Sequence, residues 1–142
     1  MKVNEIMTRN PAVCTPDTSL QEVARTMVGN DCGAVPVVGM QGTMDLAGII
    51  TDRDMVVRGI AEGKNPLTLS AGGCMTTPAI TIREDASLDD CTDLMEARKI
   101  RRVPVVDASG RLVGIVAQAD VARHASRKDA GELVRDVSAP GR

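Results

Sequence analysis

Gly48-Ile49-Ile50-Thr51-Asp52-Arg53-Asp54 comes back further along the chain as Gly114-Ile115-Val116-Ala117-Gln118-Ala119-Asp120. In each copy a glycine and two aliphatic residues lead to an aspartate within one turn, the pattern of a buried strand running into a helix. A second matched block precedes each, Val35-Pro36-Val37-Val38 and Val103-Pro104-Val105-Val106. Working outward, Met7 matches Met75, Leu20 matches Leu88, Met27 matches Met95 and Pro36 matches Pro104, each 68 residues on. The offset falls to 66 for Gly48 with Gly114 and for Asp54 with Asp120, because the first half has the longer hairpin loop. One register broken only by a loop-length change marks a duplication.

Each half reads as strand, helix, strand, strand, helix, so the fold class expected is α/β (α+β). Val3 to Thr8 reads as a helical turn, and Pro11 stops it from continuing. Ser19-Leu20-Gln21-Glu22 has capping-box spacing and opens a helix whose stripe is Leu20, Val23, Ala24, Met27 and Val28. Gly29-Asn30 and Gly33 are expected to end it. Val35–Val38 and Leu46–Ile50 read as strands joined by a turn-rich hairpin, both buried on two faces because both are nearly all apolar. Thr51 suits the N-cap of a helix running to about Ala61, with Asp52 and Asp54 in its first turn. The division expected is a first repeat over 1–66, a linker at 67–73 carrying Gly72-Gly73, a second repeat over 74–126 and a tail at 127–142 with a helical turn around Glu132 to Val137.

Composition narrows the function. With 142 residues, 43% hydrophobic and 25% charged, the chain is long enough to bury a core. A net charge of -2 and a pI near 5.4 give no basis for nucleic-acid binding. No apolar run approaches the ~18 residues of a membrane span, and Met1-Lys2-Val3-Asn4-Glu5 lacks a signal peptide's apolar stretch, so a cytoplasmic protein is expected. Cys14, Cys32, Cys74 and Cys91 form no Cys-x-x-Cys pair and read as buried small hydrophobes; a thiol switch through Cys14 or Cys32 is the alternative. His124 is the one histidine, too few for a metal site or for general-base chemistry, so no metal, no catalytic residue and no enzyme activity are expected. Phe, Tyr and Trp are all missing, so a purine base would have to lie between aliphatic side chains.

The polar signal concentrates where strand meets helix. Backbone N–H groups at a helix start are donors without intrahelical partners, and with the Thr51 hydroxyl they would hold a phosphate. Asp54 could accept hydrogen bonds from the 2' and 3' hydroxyls of a ribose. Capping alone explains Asp52. It explains Asp54 less well, because the same aspartate returns at Asp120 although its cap position there is Ala117.

These doubled blocks, with Pro11 through Ser19-Leu20 and its second-half copy, resemble two tandem cystathionine-β-synthase (CBS) domains, together a Bateman module. The resemblance covers about residues 3–126, and the run Thr51 to Gly63 is also similar to small stand-alone CBS proteins of bacterial stress responses. It implies two β-α-β-β-α repeats packed through their sheets with pseudo-twofold symmetry. It further implies a non-enzymatic regulatory sensor of signal transduction that takes an adenine nucleotide, AMP, ADP or ATP, in clefts between the repeats, with no obligatory cofactor. One cleft would use Thr51, Asp54, Thr76, Pro78 and Ala79 with backbone near Gly33, Ala34 and Val35. The other would use Asp120, Thr8, Pro11 and Ala12 with Arg101, Arg102 and Val103. The first matches the family pattern better; the second has more positive charge. The partners implied are a second copy of the chain, forming a homodimer, and an unidentified protein effector. The rival readings are a ligand-free structural or interaction protein and a cysteine-based redox switch.

Overall fold

The computed structural model describes residues 1–39 and 43–124. The tip of the first hairpin, the end of the second repeat at 125–126, and the tail at 127–142 with its expected turn at Glu132–Val137 lie outside the described residues.

The elements in order are β1 (Thr8–Arg9), α1 (Leu20–Asn30), β2 (Ala34–Val38), β3 (Leu46–Thr51), α2 (Asp52–Arg58), α3 (Ala71–Cys74), β4 (Ile82–Arg83), α4 (Leu88–Arg98), β5 (Arg102–Val106), β6 (Leu112–Ala117) and α5 (Gln118–His124). By packing, the chain forms two compact units. One joins Met1–Asn10 to Ile80–Ser109 and the chain from Val113; the other joins Pro11–Ala79 to Gly110–Leu112. The units therefore cut across the sequence repeats. Each takes its strand pair from one repeat and is completed by the segment that leads into the other.

In the unit built on Pro11–Ala79, β2 and β3 are antiparallel, with Ala34 opposite Thr51, Val35 opposite Ile50 and Pro36 opposite Ile49. Cys14 bridges in parallel to Val37 on one side, and Thr76 bridges antiparallel to Ile49 on the other. The other unit has the same layout as a four-stranded sheet in the order β1-β6-β5-β4. There Ile82 pairs in parallel with Val105, and Thr8 pairs antiparallel with Ile115.

Each unit has its own core. One gathers Cys14, Leu20, Val23, Met27, Val35, Val37, Ile50, Ala71 and Cys74. The other gathers Val3, Met7, Ile82, Cys91, Met95, Val103, Val105, Val116 and Val121. A fully buried Val or Ile stabilises by about 1.5–3 kcal/mol, so rows of them replace the missing aromatics. All of β2 is buried, as a strand apolar on both faces must be, but the same expectation fails for β3, where only Gly48 and Ile50 are buried and the other residues are half-buried.

Three local expectations need correction. The buried stripe of α1 is narrower than its sequence suggests: Leu20, Val23 and Met27 are buried, but Ala24 is exposed and Val28 is 84% exposed. Its end is made by Asp31 in the left-handed region (φ 49°), and α4 ends the same way on Lys99 (φ 53°). Asp31 donates its N–H back to Met27 and Val28, and closing those last carbonyls fixes the backbone angle without a glycine. The stretch read as linker is folded, with a 3-10 turn at Pro66–Thr68 and then α3, whose Ala71 and Cys74 are buried. Gly72 permits close packing: a Cβ there would lie 3.1 Å from the Pro16 carbonyl oxygen, to which the Gly72 N–H donates.

Candidate functional site

In the Pro11–Ala79 unit the junction of β3 and α2 is closed by a reciprocal cap. Thr51 Oγ1 accepts from the Asp54 N–H at 3.1 Å, and Asp54 Oδ2 accepts from the Thr51 N–H at 3.0 Å. The two N–H groups between them are also engaged. Asp52 donates to the Gly33 carbonyl at 3.0 Å, and Arg53 donates to Asp52 Oδ1 at 2.8 Å. Side chains and the Gly33 carbonyl thus satisfy all four, so a phosphate seated at this helix start would have to displace one of them.

Asp54 keeps its other oxygen. The Thr76 hydroxyl approaches Oδ1 at 3.4 Å, well beyond the usual O–H···O range, so this half-buried carboxylate oxygen still has capacity for better donors. Thr76 is held in place by its backbone, which exchanges two hydrogen bonds with Ile49 at 2.8 and 3.0 Å. Arg58 on α2 donates to the Met75 carbonyl at 2.8 Å, and Thr77 Oγ1 to Ala47 at 2.7 Å. Pro78 and Ala79 continue this segment. Ala34 and Val35 are buried in β2, backbone included, which leaves Gly33, half-buried, as the part of this stretch open to a ligand. The first set of sequence-derived residues therefore lies within a single unit.

The second set is split. Thr8, Arg101, Arg102, Val103 and Asp120 belong to one unit, whereas Pro11 and Ala12 belong to the other. Asp120 Oδ2 accepts from the Ala117 N–H at 2.9 Å, and Gln118 donates to the Arg101 carbonyl at 2.7 Å. Val103 is buried, while the Arg101 and Arg102 side chains are exposed. Asp120 Oδ1 is taken by Arg123 Nη2 at 2.8 Å. Sequence reasoning missed Arg123 and Arg58, although spacings of three and four residues from Asp120 and Asp54 place them on the same helix faces.

The recurrence of aspartate opposite an alanine cap now has a local cause. The carboxylate reaches back to the N–H of the residue three before it, and that bond needs no hydroxyl in return. Cys14, Cys74 and Cys91 are buried free thiols, and burial pushes Cys14 and Cys91 up to about 11. Such thiols are poor nucleophiles at neutral pH, which weakens the redox reading at Cys14. Among the described residues no group of three or more His, Cys, Asp or Glu is placed to hold a metal ion.

The CBS domain model matches residues 3–59 and 71–127. Hypoxic response protein 1 of Mycobacterium tuberculosis is 36% identical over 122 residues, which is 86% of this chain and 83% of that protein. A crystal structure of Hypoxic Response Protein I with two coordinated zinc ions superposes with a TM-score of 0.78 at 35% identity, covering 87% of this chain and 98% of that one. CBSX2 of Arabidopsis thaliana in complex with AMP has a TM-score of 0.75 at 29% identity, covering 89% and 97%. The CBS domain pair of MJ0100 in complex with 5'-methylthioadenosine and S-adenosyl-L-methionine has a TM-score of 0.78 at 30% identity, covering 90% and 98%.

Proposed function

The chain belongs to the CBS domain family, as a tandem pair, and on that premise we propose that it is a non-enzymatic regulatory module binding an adenosine-containing ligand, an adenine nucleotide foremost. AMP, 5'-methylthioadenosine and S-adenosyl-L-methionine, held by two similar CBS pairs, share the adenosine group and differ in everything beyond it. The observation that carries the reading is the spare oxygen of Asp54. Half-buried and facing, among the described residues, only a distant threonine hydroxyl, it suits ribose hydroxyls, each such charge-assisted bond contributing about 1.5–3 kcal/mol. Thr76, Pro78 and Ala79 would flank the ligand, with Gly33 the part of the β2 lead-in open to it. Since the α2 start has no N–H to spare, recognition at this site rests on the nucleoside, and AMP, ADP and ATP should bind with similar affinity there.

The output of such a module passes through a protein partner or through a change in a homodimer. Support for self-association comes from exposed apolar side chains on α2 and the turn after it: Val56, Val57 and Ile60. No helix among the described residues is long and apolar enough to cross a membrane.

Absorbance offers the first test. With no Trp, Tyr or Phe the protein is nearly transparent near 280 nm, so a purine retained through purification would dominate the ultraviolet spectrum. Calorimetric titration with AMP, ADP, ATP and S-adenosylmethionine should then give saturable binding by at least one. A flat response to all of them at millimolar concentration would leave the scaffold reading, which the capping bonds of both aspartates favour.

A further inference from the structure

The two aspartates are not equally available. Asp120 has both oxygens engaged, Oδ2 by the Ala117 N–H and Oδ1 by Arg123 at 2.8 Å. The position matching Arg123 in the first repeat is Val57, 66 residues earlier, which cannot pair with a carboxylate. Asp54 therefore keeps an oxygen that Asp120 lacks.

We propose that Arg123 is a built-in competitor for the sugar at Asp120, so that the second site discriminates against uncharged nucleosides that the first site accepts. This rests on the reading of the aspartates as ribose acceptors. A hydroxyl must displace the guanidinium before it can reach Oδ1. The Arg123 side chain is 71% exposed while Asp120 is 15% exposed, so the pair is open to solvent on the arginine side and is screened by salt. Arg123 thus biases the site without sealing it. It is a specificity residue that acts on ligand through Asp120.

Adenosine is the probe, because it has ribose hydroxyls and no phosphate for an arginine to attract. The parent is the full chain carrying Asp54→Asn, which weakens the first site; calorimetric titration compares it with the double variants that add Arg123→Gln or Arg123→Lys. Far-ultraviolet circular dichroism confirms that each is folded. At low ionic strength Arg123→Gln should tighten adenosine binding about two- to fivefold, the range an exposed ion pair supports. The gain should vanish near 1 M salt, where the screening length is about 3 Å. Arg123→Lys, which keeps the charge but not the planar geometry, should gain less. Unchanged or weaker binding by Arg123→Gln at low salt, while the wild type binds adenosine, overturns the role of Arg123 and leaves the ribose reading standing. If the wild type and every variant fail to bind adenosine and AMP at millimolar concentration, the ribose reading falls and takes this one with it.

Discussion

A Cβ on Gly48 would stand 2.6 Å from the carbonyl oxygen of Thr76. The same relationship recurs at Gly114, where a Cβ would meet the Thr8 carbonyl oxygen at 2.8 Å and the Met7 sulfur at 2.6 Å. The glycine that opens each repeated block is therefore the place where the lead-in segment of the other repeat crosses the strand. It joins the fold to the candidate site, because Thr76 is brought to Asp54 by this crossing.

Gly48→Ala and Gly114→Ala must push backbone away from backbone. Overpacking of this kind costs about 1–3 kcal/mol, which for a chain of this length lowers the melting temperature by roughly 3–10 °C. Gly29→Ala is the control, since nothing lies within 4 Å of its Cβ position in α1. It should stabilise by about 0.5–1 kcal/mol through helix propensity. Thermal melts followed by circular dichroism at 222 nm decide the matter, and equal shifts for all three variants would remove the steric account.

Asp54 has two roles that different substitutions separate. Asp54→Ala removes the acceptor of the Thr51 N–H together with the spare oxygen, so stability should fall by about 0.5–2 kcal/mol and binding should weaken. Asp54→Asn keeps a carbonyl oxygen for the cap and loses the charge. Its melting temperature should stay within a degree or two of wild type while affinity for AMP falls about tenfold, one charge-assisted bond's share. Loss of stability in both variants with affinity unchanged would make Asp54 a cap alone.

Much of this was legible in the chain, for reasons particular residues make plain. The capping spacings at Ser19 and Thr51 predict helix starts because that chemistry is local, and each of these side chains accepts from the N–H three residues on. Doubling exposed the matched strands and aspartates. What the sequence did not reveal depends on partners distant in the chain. Nothing near Gly48 says that Thr76 will lie against it, and nothing near Asp52 says that its N–H will be taken by Gly33. The free donors expected at the α2 start were lost to contacts of that kind. Val28 misled for the opposite reason: periodicity reports which residues are apolar, and not whether a neighbour covers them.

Self-association should depend on the apolar side chains that α2 and its following turn leave in water. Ile60 is 57% exposed and Val56 53%. Ile60→Glu places a charge there at little expense to the monomer's core. Light scattering after gel filtration should give a dimer mass for wild type and a monomer mass for Ile60→Glu. The wild-type melting temperature should rise with protein concentration, and the variant's should not. A dimer that survives the substitution would assign the interface elsewhere.

The thiols give a pH dependence whose sign can be worked out. In the unfolded chain Cys14 and Cys91 titrate near the ordinary value of 9.0; in the folded protein burial moves both to about 11. Between those values the unfolded chain has released protons that the folded one still holds, so unfolding is favoured as pH rises. The contribution of these two groups is nearly constant below about pH 8, declines as pH passes through 9 toward 11, and is gone above the folded values. Urea titrations at pH 7, 8 and 10.5 should show a midpoint nearly unchanged over the first interval and lower at the last, with Cys14→Ala/Cys91→Ala removing part of that drop. Alkylation gives the independent check. At pH 8 iodoacetamide should modify the half-exposed Cys32 first, leaving Cys14 and Cys91 protected until the chain opens. Rapid labelling of Cys14 in the folded protein would return the redox switch to contention.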